Sequence, residues 1–92
     1  MHITMVKKEL RDGRPCRKCE QAMDHLMAKR LWNRIDEVVI AKEGDASSPG
    51  VQLATKHGVE VAPFFIVRDD AGEQVYTSVM QMIKERLAAP PA

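Results

Sequence analysis

The chain has 92 residues, 45% of them hydrophobic and 29% charged, and its 14 basic and 13 acidic side chains leave a net charge of +1. Domains run from about 50 to 250 residues, so this is one core and not two, and a chain of this size buries roughly 60–70% of its unfolded surface without metal or disulfide staples. The even charge balance gives no case for nucleic acid or an anionic membrane as main partner, and 4% aromatics gives none for a stacking platform on single strands.

No apolar run approaches the roughly 20 residues of a membrane helix. At the start, Met1-His2-Ile3-Thr4-Met5-Val6-Lys7-Lys8 places its basic pair after the apolar residues, the reverse of a signal peptide. A cytoplasmic protein is expected, in which a lasting structural disulfide is not. Residues 1–88 read as a single domain and 89–92, with two prolines that cannot continue a helix, as a disordered tail.

Residues 2–6 are a short apolar run and predict a strand. Lys7 to Pro15 is a charged link containing the turn signal Asp12-Gly13. A helix follows, with Pro15 in its first turn and Cys19, Ala22, Met23, Leu26, Met27 and Leu31 on one face. The other face carries Lys18, Gln21, Asp24, His25 and Lys29. Val38-Val39-Ile40 is a β-branched run suited to a strand covered on both faces. Ser47-Ser48-Pro49 opens a short helix with a serine cap and a proline at the first position, and Gly58 stops it. Phe64–Val67 predicts a strand, Asp69-Asp70-Ala71-Gly72 a hairpin turn and Glu73–Thr77 the return strand. Ser78 and Gln81 form a capping box for a last helix with Val79, Met82, Ile83 and Leu87 inward. The order is β-α-β-α-β-β-α. Helical connections imply parallel pairing at the start and the tight turn antiparallel pairing at the end, giving an α/β fold with a mixed four-stranded sheet and helices on both faces.

Both cysteines lie in Cys16-Arg17-Lys18-Cys19. Two intervening residues at a helix start bring the sulfurs close enough for a small disulfide ring. The N-terminal N–H groups and helix dipole favour a thiolate at Cys16, and Arg17 and Lys18 add positive charge, all lowering a thiol pKa from its free value of about 8.5. Cys16 is the expected nucleophile and Cys19 the resolving thiol. Zinc, iron–sulfur and copper sites also use C-x-x-C, but its place before a helix in a β-α-β pattern favours redox chemistry.

A closed zinc site needs four ligands. His25, at about 100° per residue, points away from Cys16, and reads as a solvated helix residue. His57 reads as a last-turn residue suited to the helix dipole. Met23, Met27 and Met82 fall on apolar stripes and read as core filling rather than copper ligands. No cofactor is expected. Pro63, just before an apolar strand, must open it or lie at an edge.

The C-x-x-C at a helix start, the stretch Leu53-Ala54-Thr55-Lys56-His57-Gly58-Val59-Glu60-Val61-Ala62-Pro63-Phe64-Phe65-Ile66-Val67 and the Asp-Ala-Gly-Glu turn together resemble the thioredoxin superfamily over residues 2–87. The resemblance implies a minimal thioredoxin-like fold with sheet order 2-1-3-4 and a cis Pro63 packed against the cysteines. It implies attack by Cys16, resolution by Cys19, substrate binding by the backbone of Ala62, and a Pro63 that keeps metal from the thiols. The chain departs from thioredoxin in its Arg-Lys middle pair, in Arg14-Pro15 before the first cysteine and in a lone tryptophan, Trp32, at the far end of the helix. It departs from glutaredoxin at Ala62 and around Tyr76-Thr77-Ser78, which lacks the glutathione-binding elements.

The expected function is thiol–disulfide exchange on a disulfide-containing protein or small thiol substrate, with a reductase as electron donor. The alternatives are a binding or sulfur-carrier module that does not turn over, and a metal or iron–sulfur protein using the C-x-x-C.

Overall fold

A computed structural model describes residues 1–87. The expected tail at 89–92 lies outside the described residues. Strand β1 spans His2–Glu9, helix α1 Arg17–Ala28, a 3₁₀ turn Trp32–Arg34, and β2 Glu37–Lys42. Helix α2 spans Pro49–His57, β3 Phe64–Asp69, β4 Gly72–Tyr76, and α3 Val79–Met82, running on through a wider π-type turn at Ile83–Leu87. The sheet order is β2-β1-β3-β4. No helix among the described residues is long and apolar enough to cross a membrane.

Alternation along the strands builds two cores. Ile3, Met5, Phe65, Val67 and Tyr76 face α1 and α3, meeting Ala22, Leu26, Met82, Ile83 and Leu87. Val6, Phe64 and Ile66 face the other way, against Leu53 and Ala54 of α2. The helices therefore cover both faces. Gly50 lets α2 close on β2, since a Cβ there would stand 2.4 Å from the backbone nitrogen of Ala41. Gly58 ends α2 in the left-handed conformation, φ +66°.

The pairing differs from expectation in one respect. β1 and β2 are parallel, but β3 runs antiparallel to β1, with Val6 opposite Phe64. Helix α2 has only 9 residues, and the loop after it brings the chain back to the end of the sheet where β1 finishes. Strand β3 then has to run the other way. The turn between β3 and β4 is tight and antiparallel as expected, with Asp69 opposite Gly72.

Other departures are local. β2 is an edge strand, so Val38 is 41% exposed instead of covered. Met27 is exposed, because Leu26 takes the inward position and its neighbour lies about 100° round the helix. Pro15 does not enter α1. It bridges back to Glu9, closing a turn at Leu10–Arg14 in which the Leu10 and Gly13 N–H groups donate to the Arg14 and Leu10 carbonyls. Trp32 sits in the 3₁₀ turn, half-buried against the larger core. Ser78 accepts the N–H of Gln81 at 3.2 Å, but the Gln81 side chain reaches forward to Glu85, so the capping box is half made.

Candidate active site

The end of β1 and the start of α1 hold the two cysteines. Cys16 is the N-cap of α1 and is half-buried; Cys19, one turn in, is 1% exposed and belongs to the larger core. Lys8 touches both through its backbone. Its carbonyl accepts the Cys16 N–H at 3.2 Å and its N–H donates to Cys19 Sγ at 3.3 Å.

The two thiols are driven apart in acidity. Burial raises Cys16, but the Cys19 and Lys18 backbone N–H groups, the Cys19 side chain and the Lys8 charge outweigh it and hold Cys16 below the ordinary 9.0. Burial pushes Cys19 up to about 11, helped by the neighbouring Cys16 sulfur and opposed by the Lys8 N–H and the Lys7 charge. This asymmetry makes Cys16 the more readily ionised thiol of the two.

Lys8 is the residue that sequence reasoning missed. It sits in the last part of β1, eight positions before Cys16, and only the fold brings it there. Its ammonium also pairs with Glu43 at 3.1 Å. Glu43 further accepts the Arg11 backbone N–H, and these contacts hold its carboxyl below the usual range. Of the two expected charged tuners, Lys18 acts on Cys16 through its backbone N–H, while its side chain and that of Arg17 are exposed.

Ala62 and Pro63 come to the same place. The Ala62–Pro63 peptide bond is cis. Ala62, Cys16, Lys8 and Lys18 line a cavity of about 370 Å³ whose walls are Val51, Ala54, Val59 and Val61. On the other side, Pro63 and Lys18 line a cavity of about 240 Å³ with His25 and Met80. The expectation of a solvated His25 fails there. The ring shares this cavity with Val79 and Met80 of α3, and Nε2 is shut from water without a hydrogen-bond partner among the described residues. His57 Nε2 is likewise buried and unpartnered at the end of α2. Among the described residues, no group of three or more His, Cys, Asp or Glu side chains is placed to hold a metal ion.

Comparisons with protein-family models, with curated proteins and with solved structures find no match to this chain.

Proposed function

We propose that this protein is a small thiol–disulfide oxidoreductase built on a minimal thioredoxin-like fold. The observation that carries the reading is the pair itself: a half-exposed Cys16 of lowered pKa at a helix start, one turn before a buried Cys19 of raised pKa. The sheet order 2-1-3-4 and the C-x-x-C before α1 support the fold assignment.

The Cys16 thiolate attacks one sulfur of a substrate disulfide. The substrate S–S bond breaks, one thiol leaves, and a mixed disulfide forms on Cys16. Cys19 then gives up its proton and attacks the Cys16 sulfur. The second substrate thiol leaves and Cys16–Cys19 is oxidised. The two protons of the protein thiols end on the two released thiols, and two electrons pass to the substrate. A thiol-class reductase resets the pair. The backbone beside Ala62 receives the substrate chain, and Pro63 forms the floor next to it.

A second reading is favoured by the high pKa of Cys19. With its proton held that tightly, the second step is slow, which suits a binding or sulfur-carrier module that retains a sulfur adduct on Cys16. Insulin reduction in the presence of a small dithiol separates the two. Catalysed reduction that disappears in Cys16→Ser supports the oxidoreductase. An inactive wild type favours the carrier, and activity retained in Cys16→Ser overturns both.

A further inference from the structure

We propose that the substrate of the Cys16 site is a disulfide-bearing acidic polypeptide segment, docked between a cationic arc and an apolar groove. This rests on the redox reading above and names its substrate class.

The arc follows from how charge is distributed. Residues 7–18 hold six basic and two acidic side chains, a net of +4, in a chain whose total is +1. The remaining residues are therefore net −3. The Glu9–Pro15 bridge folds this segment back on itself, and Lys8 and Lys18 line one cavity with Cys16. The nearby acids offset part of this charge and, among the described residues, leave the two bases inside the C-x-x-C free. Asp12 is taken by Arg14 at 2.6 Å, and Glu43 by Lys8 at 3.1 Å with Arg11 at 3.9 Å. Arg17 and Lys18 are exposed and make no ion pair among the described residues. The Arg11 and Arg14 side chains are 76% and 75% exposed. A concentrated patch of one sign raises the encounter rate of an oppositely charged partner by about 10- to 1,000-fold, and salt removes the gain.

The groove argues for a polypeptide over a small molecule. The cavity beside Cys16 shares Ala41, Val51, Ala54, Val59 and Glu60 with a second one of about 430 Å³. Together they form a trough leading away from the cysteine, apolar apart from Lys8, Lys18, Glu43, Thr55 and Glu60, with Val61 56% exposed at its lip. An extended chain advances about 3.3 Å per residue. Several residues can therefore follow the trough while the disulfide sits at Cys16 and acidic residues face Arg17 and Lys18.

The test uses the reduced full-length protein and four disulfides: two peptides of one sequence whose disulfide is flanked by Glu or by Lys, dithiodipropionate, and hydroxyethyl disulfide. Each rate constant is divided by that of the same compound with dithiothreitol, which removes intrinsic reactivity. The Glu peptide is expected to exceed the Lys peptide by at least about tenfold at low salt. That ratio falls toward one near 1 M salt, where the screening length is about 3 Å, and it falls at low salt in Arg17→Gln/Lys18→Gln. Equal rates for the two peptides overturn the proposal alone. An equal gain for dithiodipropionate overturns its polypeptide part. Failure to reduce any of the four sinks the redox reading and takes this proposal with it.

Discussion

Alkylation of the reduced protein at pH 7 reads the site directly. Cys16 lies below 9.0 and Cys19 at about 11, a gap of at least about two pH units. At neutral pH the Cys16 thiolate then outnumbers that of Cys19 by at least about 100-fold. The less basic thiolate is also the weaker nucleophile, and a Brønsted slope of about 0.4–0.5 gives back roughly tenfold over that gap. The net preference for Cys16 is at least about tenfold before access is considered. Access adds to it, because Cys19 is 1% exposed. Limiting iodoacetamide, acid quenching at early times and peptide mass mapping measure the two rates separately. Equal labelling, or labelling of Cys19 first, would refute the assignment of nucleophile and resolving thiol.

Three further predictions test the surroundings. Lys8→Met removes the charge that helps hold Cys16 down, so the thiol pKa followed by ultraviolet thiolate absorbance rises, and the Glu43 carboxyl, having lost its partner, titrates higher by NMR. Gly50→Ala gains up to about 1 kcal/mol of helix propensity. Its Cβ would nevertheless stand 2.4–2.6 Å from the Ile40 and Ala41 backbone, so α2 must move off β2. Overpacking of this kind costs about 1–3 kcal/mol or more, and urea unfolding is expected to give a net loss; unchanged or greater stability would mean that α2 does not approach β2 this closely. The raised Cys19 pKa means that the folded state holds the thiol proton more tightly than the unfolded chain does. That contribution is complete below 9.0 and is lost as pH rises through about 11. The reduced wild type should therefore lose more stability over that interval than Cys19→Ala, measured by denaturant midpoints.

Element types were legible because each carries a local signal: Ser48-Pro49 and Gly58 bracket α2, and the alternation from Phe64 to Val67 sends residues to two faces. The cysteine pair was legible for the same reason, since its spacing and its place at a helix start are both local. Direction and depth were not. Whether β3 runs with or against β1 depends on where the loop after α2 returns the chain, and no periodicity within β3 records that. The exposure of Val38 depends on β2 lying at the edge, a property of strand order. His25 looked solvated from its helix face, but its Nε2 is buried and the ring shares a cavity with Val79 and Met80, more than fifty residues later. Lys8 escaped notice because its influence on Cys16 needs the turn at Leu10–Arg14 to fold back.

The register of the sheet explains why one residue serves both thiols. β1 continues to Glu9, while its antiparallel partner β3 begins at Phe64, opposite Val6. Continued by two residues, the same pairing would set Lys8 against Ala62. The pairing stops short of that position. In an antiparallel pair the N–H and C=O of one residue turn to the same neighbour. The Lys8 groups on the β3 side are thus left without a strand, and α1 supplies their partners: Cys19 Sγ takes the N–H and the Cys16 N–H meets the carbonyl. The early end of the β1–β3 ladder both opens the cavity beside Ala62 and anchors the cysteines at its mouth. The same backbone anchorage persists when the Lys8 side chain is replaced, so Lys8→Met separates the electrostatic contribution from the positional one.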